Sequence, residues 1–307
     1  MSDIKLFRVS GSTATELQGQ SVTVERSLQT VIERDCEVFL GITFLASEYT
    51  TGKRHGGRID TLGIDEDDCP VIIEYKRATN ENVINQGLFY LDWLLDHKAE
   101  FKLLVLEKLG KQRADEIDWS SPRLLCIAGD FTKYDKNAVQ QINRNIDLFR
   151  YQKFGTDLIA LQLVHRTSNV VIGDEESNEA RESSRPQKRG TDKPVDQAIE
   201  DAEQEIKDLF TSMRTFVMAL GDDVQEKQTK LYMAYRRIKN FASVVVQKRA
   251  LVLYLKLDPK FVQLEEGFTR DVREIGHWGT GNLEVTLVTN EDLLKTQPLI
   301  SRSYEGS

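Results

Sequence analysis

With 307 residues, 40% of them hydrophobic and 29% charged, the chain has an ordinary globular composition and enough length for two unstapled domains. The net charge of −8 gives no ground for a histone-like nucleic-acid binder, yet it is compatible with an acidic site beside a local basic patch. Apolar runs such as 244–246 and 251–255 are far too short for a membrane span, no basic-then-apolar leader precedes Ile4, and Cys36, Cys69 and Cys126 stand too far apart for a disulfide framework or a cysteine zinc site; the expected compartment is the reducing cytoplasm.

From Glu25 to Phe39, Leu28, Val31, Ile32 and Val38 recur at helical spacing. Segments 42–50, 58–64 and 71–75 read as strands, the last two joined by the acidic turn Asp65–Pro70. Thr79, Asn80 and Glu81 offer a capped start to a helix reaching about His97, with Val83, Ile84, Leu88, Leu91, Leu94 and Leu95 inside. Segments 123–128 and 158–164 read as buried strands, with a helix at 135–146 between them. The order α-β-β-β-α-β-α-β predicts a mixed sheet flanked by helices.

Residues 168–194 are charged and almost devoid of apolar side chains, so they read as a disordered linker between domains at 1–167 and 195–307. The second domain opens with an amphipathic helix from Val195 to about Leu220, stopped by Gly221. Strands at 244–246, 251–257 and 283–288, then a short helix from Asn290, make it a smaller α+β domain. In 275–281, glycines flank His277 and Trp278; a tight turn packing Trp278 and a close approach to a ligand are both open readings.

The chemistry concentrates in Gly57-Arg58-Ile59-Asp60 and Val71-Ile72-Ile73-Glu74-Tyr75-Lys76. A hairpin turning about Asp67 opposes Asp60 to Glu74, placing both carboxylates on one face; Lys76, two residues on, shares that face. Opposed carboxylates repel unless a cation lies between them, and this pair suits one hard divalent cation. A solvated, charge-decorated hairpin is the competing reading, but the apolar neighbours Val71, Ile72 and Ile73 put these charges beside a core. Gly52–Gly57 carries Lys53, Arg54 and His55, with Arg58 and Arg77 nearby. Such a loop is what approach to a phosphate backbone requires, a solvated turn being the alternative. Residues 1–167 hold 21 Lys and Arg against 25 Asp and Glu, a net of −4, so this loop must supply the attraction. Phosphate-loop, dinucleotide-binding, nucleophile-elbow and zincin motifs are absent.

Asp60 with Glu74-x-Lys76 resembles the core of the PD-(D/E)XK nucleases, in the NucS-like branch related to Holliday-junction resolvases. The likeness spans about residues 20–100. It includes Ser47-to-Gly52 leading into Gly57-Arg58-Ile59-Asp60, Gln86 and Tyr90 as a Gln-xxx-Tyr pair, and Glu33 as an added acid; Ile59 stands where many members have proline. The resemblance implies a restriction-endonuclease-like α/β core and a metal-dependent endonuclease acting on DNA. It further implies Mg²⁺ or Mn²⁺ held by Asp60, Glu74 and the Tyr75 carbonyl, and Lys76 acting on the attacking water or the developing phosphorane charge. Glu33 would complete the acidic shell, Gln86 would position a phosphate or the Lys76 amine, and Tyr90 would position or only pack. The second domain is similar to an uncharacterised domain found behind such nucleases, for which substrate recognition or self-association as a homodimer is expected. A non-catalytic nucleic-acid-binding or interaction protein keeping the fold is the runner-up, disfavoured because a binder needs no complete Asp60–Glu74–Lys76 set.

Overall fold

The run Val71-Ile72-Ile73 has no polar face to give to water, and in the computed structural model it lies fully buried in the middle of a seven-stranded sheet. The structure describes residues 4–20, 25–76, 83–155, 157–167 and 193–307. It comprises two units, Met1–Glu175 and Glu176–Ser307. The linker expected at 168–194, apart from 193 and 194, and the helix start expected at Thr79, Asn80 and Glu81 lie outside the described residues. No helix among the described residues is long and apolar enough to cross a membrane.

In the first unit, β1 (Leu6–Ser10) and β2 (Thr13–Leu17) pair as a separate hairpin. There follow β3 (Gly19–Gln20), α1 (Glu25–Arg34), α2 (Cys36–Leu40), β4 (Ile42–Thr50), α3 (Gly52–His55), β5 (Arg58–Asp65) and β6 (Pro70–Lys76). The chain continues through α4 (Val83–Asp96), α5 (Lys98–Leu109), α6 (Lys111–Glu116), β7 (Arg123–Ala128), α7 (Lys133–Gln140), β8 (Asn145–Phe154) and β9 (Leu158–Thr167). The sheet runs β3-β8-β7-β6-β5-β4, with β9 also on β8. Strands β4, β5 and β6 are antiparallel neighbours, β6, β7 and β8 are parallel, and β9 returns antiparallel to β8. This is the expected mixed sheet flanked by helices.

The β5–β6 register pairs Thr61 with Ile73, Leu62 with Ile72 and Ile64 with Pro70, which centres the turn on Asp67. The turn is held by its own first residue. Asp65 Oδ1 accepts from the amides of Asp67 (3.0 Å) and Cys69 (2.9 Å), and Asp68 takes a left-handed φ of 61°. On the same sheet, α4 packs against β6 and β7 through Leu91, Trp93 and Leu94. Gly87 permits that approach: a Cβ there would sit 2.5 Å from Leu124 Cδ1. The close fit brings Gln86 and Tyr90 to the ends of β5 and β6.

Several elements differ from expectation. The first helix breaks at Asp35, between α1 and α2. The helix expected at 135–146 ends at Gln140, and 145–154 is the buried strand β8. Its interior charges hid it, and each finds a distant partner: Asp147 pairs with Arg123 and Arg166, while Arg150 donates to Gln162.

In the second unit, α8 (Val195–Asp201) and α9 (Gln204–Met218) precede β10 (Gln225–Gln228), β11 (Met233–Arg236), β12 (Asn240–Val246) and β13 (Leu251–Leu255). After these come β14 (Thr269–Asp271), β15 (Leu283–Leu287) and α10 (Asn290–Glu305). The strands form an antiparallel sheet ordered β10-β11-β12-β13-β15-β14, with the helices sharing one apolar core on it. The opening helix is two helices, because Glu203 turns its amide to Lys248 O (2.9 Å). The final helix is long rather than short: a Thr289–Asp292 capping box starts its 16 residues and Pro298 lies inside it. Trp278 is 43% exposed rather than packed, and the His277 ring stacks on Tyr254 at 4.4 Å.

A buried ion network ties the hairpin turn to the far strands. Arg123 Nη1 lies 3.1 Å from Asp65 Oδ2 and Nη2 lies 2.6 Å from Asp147 Oδ2, all three residues being buried. Burial works against the guanidinium charge, but Asp147 and Asp65 more than restore it and raise the Arg123 pKa. Arg123→Ala removes the buried cation that Asp65 and Asp147 share, leaving Asp147 with Arg166, and is expected to cost about 3–5 kcal/mol in urea unfolding. A loss below about 1 kcal/mol would show that this network does not hold the turn.

Candidate active site

The β5–β6 ladder stops at Thr61 and Ile73, one residue short of the acidic pair. Beyond that point the side chains take over from the backbone. The Asp60 amide donates to Glu74 Oε1 (3.2 Å), and the Tyr75 amide donates to Asp60 Oδ2 (3.0 Å). Each carboxylate therefore reaches across to the other strand and occupies a donor that the ladder would have used. The structure brings Asp60 and Glu74 together at the ladder's end, with Asp60 half-buried and Glu74 fully buried.

Glu74 takes a further hydrogen bond from Gln86 Nε2, 3.0 Å from Oε2. Its pKa is pushed up from 4.5 to about 9, chiefly by burial and next by the charge of Asp60; the Asp60 amide and the charge of Lys76 oppose the shift. Lys76 is half-buried at the end of β6 and electrostatically coupled to Glu74. Burial likewise raises the Tyr75 phenol.

Beside this pair opens a polar cleft of about 690 Å³, lined by Gln29, Glu48, Gly56, Gly57, Arg58, Asp60, Tyr75, Gln86 and Tyr90. Gln86 and Tyr90, one helical turn apart on α4, face it together, as their i, i+4 spacing requires. Tyr90 does more than pack: its oxygen accepts from the Arg58 amide (3.1 Å) and lies 3.5 Å from Gln86 Nε2. Gly57 makes room for it, since a Cβ there would meet Tyr90 Cε1 at 2.5 Å.

Glu33 points from α1 to the back of the site. Its Oε1 accepts from Thr61 Oγ1 (2.5 Å) and Gln29 Nε2 (3.0 Å), so Gln29 rather than Glu33 is the α1 residue on the cleft. Buried Gln29 also donates to the Asp60 carbonyl (2.9 Å) and lies 3.5 Å from Glu48 Oε1. Gln29 and Glu48 were missed in the sequence. Polar helix residues at Gln29 and Glu33 do fall one turn apart on one face, which is the signal that was available.

The basic segment is only partly a loop: Gly52–His55 forms one helical turn, α3, closed by Gly56 at φ 64°. Thr51 clamps its two ends, its hydroxyl lying 2.9 Å from the Gly57 amide. Lys53 is exposed and Arg54 lies within α3. His55 packs between Phe89 (5.5 Å) and His97 (5.7 Å). Arg58 pairs in the ladder with Thr50 on β4, and its Nε lies 2.5 Å from Glu48 Oε2. Arg77 lies outside the described residues. No group of three or more His, Cys, Asp or Glu among the described residues is arranged to hold a metal by itself. The donors on offer are Asp60 and Glu74, supplemented by backbone oxygen.

The family model described as a domain of unknown function, DUF5655, matches residues 195–307. An uncharacterized protein of Haemophilus influenzae is 26% identical over 307 residues, spanning 98% of this chain and 100% of its own length. A repair endonuclease from Pyrococcus abyssi is 18% identical with a TM-score of 0.29, over 43% of this chain and 48% of that one. An EndoMS–dsDNA2 complex is 19% identical with a TM-score of 0.25, over 43% and 47%. The chain thus spans about half the length of each of these two solved structures.

The raised Glu74 pKa fixes the sign of a pH effect. Between pH 4.5 and about 9 the folded, metal-free protein holds a proton on Glu74 that the unfolded chain has lost, so stability falls as pH rises. The slope from this group approaches about 1.4 kcal/mol per pH unit. Glu74→Gln should remove it, leaving the variant more stable than wild type in EDTA at pH 8.5, with the gap closing toward pH 6. Parallel urea-unfolding profiles across that range would contradict the burial assignment.

Proposed function

We propose that this chain is a divalent-cation-dependent nuclease that hydrolyses DNA phosphodiester bonds with a PD-(D/E)XK-type site. The supporting observation is the interlocked pair of Asp60 and Glu74. Each reaches across to the other's strand, and the buried member receives its hydrogen bonds from neutral donors, Asp60 N and Gln86 Nε2. Two such carboxylates repel each other, and burial holds one of them protonated. A hard dication offsets both penalties at once, so the donor set suits Mg²⁺ or Mn²⁺ on Asp60, Glu74 and the Tyr75 carbonyl. When bound, the cation neutralises the acidic pair and polarises a phosphate oxygen as a Lewis acid.

The chain's own groups divide the remaining work. Gln86 holds the second oxygen of Glu74 and so fixes the carboxylate's orientation. Lys76, coupled to Glu74, orients the attacking water or meets the negative charge that develops on the phosphate. Tyr90 and Gly57 set the backbone of Arg58 at the cleft. Lys53 and Arg58 supply local positive charge in a chain whose net charge is −8. The unit containing residues 195–307 is assigned substrate selection or self-association in this reading.

Asp60→Asn keeps the shape of the site but removes a cation ligand. Cleavage of labelled linear and branched DNAs in Mg²⁺ or Mn²⁺ should fall on the order of a hundredfold or more, and EDTA should stop the wild type. Wild-type cutting by the variant, or cutting insensitive to EDTA, would remove the cation from the mechanism. DNA binding without any cleavage would leave a non-catalytic binder.

A further inference from the structure

Gln29 is only 7% exposed, yet it lines the cleft with Glu48 and Asp60. Its side-chain nitrogen donates to the Asp60 carbonyl (2.9 Å) and to Glu33 Oε1 (3.0 Å), with Ser47 Oγ at 3.3 Å and Glu48 Oε1 at 3.5 Å. A carbonyl oxygen can only accept, so the nitrogen must lie on this side and the amide cannot turn over. Thr61 Oγ1 in turn holds Glu33 Oε1, at 2.5 Å. The amide oxygen of Gln29 accepts no hydrogen bond among the described residues. Nor is it sealed in the interior, so it opens on the cleft that Gln29 lines. A buried side chain with its donor end saturated and its acceptor end bare is matched by a ligand that donates a hydrogen bond.

The backbone of a DNA strand brings no such donor. Its phosphate oxygens only accept, and deoxyribose within the chain has no hydroxyl. Hydrolysis does bring one, because a water must stand beside the scissile phosphate. We infer that Gln29 is a further catalytic residue, whose amide oxygen accepts a hydrogen bond from the attacking water and so turns the water's lone pair toward phosphorus. In the step itself the water oxygen bonds to phosphorus. The P–O bond to one deoxyribose breaks, and its electron pair leaves with the sugar oxygen. Of the two water protons, one ends on the freed hydroxyl and the other on the new phosphate monoester. A neutral amide takes neither, so Gln29 contributes orientation rather than base strength. The inference deepens the nuclease reading and rests on it for the reaction.

Two variants of the full chain separate the two ends of the amide. Gln29→Lys keeps a donor for the Asp60 carbonyl and Glu33 but has no acceptor, whereas Gln29→Glu keeps acceptor oxygens but has no donor. Cleavage of labelled linear and branched DNAs is followed at saturating Mg²⁺, with the melting temperature and the DNA affinity in Ca²⁺ measured alongside. Gln29→Lys should keep the wild-type melting temperature and DNA affinity but lose on the order of tenfold to a hundredfold in kcat. Gln29→Glu should melt lower, since it sets a carboxylate against the Asp60 carbonyl and Glu33, yet keep the higher kcat of the two. Equal rates or the reverse order would overturn the inference and leave Gln29 a structural donor, with the nuclease reading intact. Recovery of the Gln29→Lys rate on raising Mg²⁺ would also overturn it, by assigning the oxygen to the cation. A wild type that cuts no DNA would remove the nuclease reading and the water's role with it.

Discussion

The site depends on what happens where a β-ladder runs out. Up to Thr61 and Ile73 the two strands satisfy each other through the backbone; one step further, the carboxylates of Asp60 and Glu74 take the partner strand's amides instead. That exchange anchors two acids at a strand end without loops or extra domains. It also buries Glu74 and drives its pKa to about 9, a large departure for a residue whose neighbours Ile72 and Ile73 are inert core. A buried acid with a raised pKa beside a polar cleft is what cation or proton chemistry needs.

The rest of the first unit supports this strand end. The buried Asp65–Arg123–Asp147 network holds the far end of the hairpin and thereby its register, and a slip of one residue would turn Glu74 to the opposite face. Gly87 lets α4 approach the sheet, which places Gln86 on Glu74 and Tyr90 on the Arg58 amide. From α1, Gln29 holds the Asp60 carbonyl and Glu33 holds Thr61. Two helices, α1 and α4, and two strands, β5 and β6, therefore converge on one pair of carboxylates.

The hairpin was legible in the sequence because its signals were local and agreed: an apolar run, an acidic turn and a period of two. Gln86 and Tyr90 were legible through the resemblance, as a Gln-xxx-Tyr pair whose i, i+4 spacing sets both on one helix face. Glu48 was not, because nothing in Ser47-Glu48-Tyr49 announces a left-handed residue, and its partners Gln29 and Arg58 lie on other elements. Strand β8 was hidden for a related reason. Asp147 reads as surface, and Arg123 and Arg166, on other strands, help make it an interior residue. The division between α8 and α9 likewise comes from Lys248 O, a contact from another element. Local pattern carried the elements whose causes were local and failed where the cause lay elsewhere in the chain.

The claim that the interlocked acids form a cation site is tested most directly on Glu74 itself. Carbon-13 NMR of glutamate-labelled protein, assigned with Glu74→Gln, reports whether that carboxyl is protonated. At pH 7 without metal it should resonate as a neutral acid, and saturating Mg²⁺ should move it to the ionised position, while in Asp60→Asn the same addition should leave it largely unmoved. A Glu74 carboxylate already ionised in EDTA, or one indifferent to Mg²⁺ in the wild type, would contradict the claim.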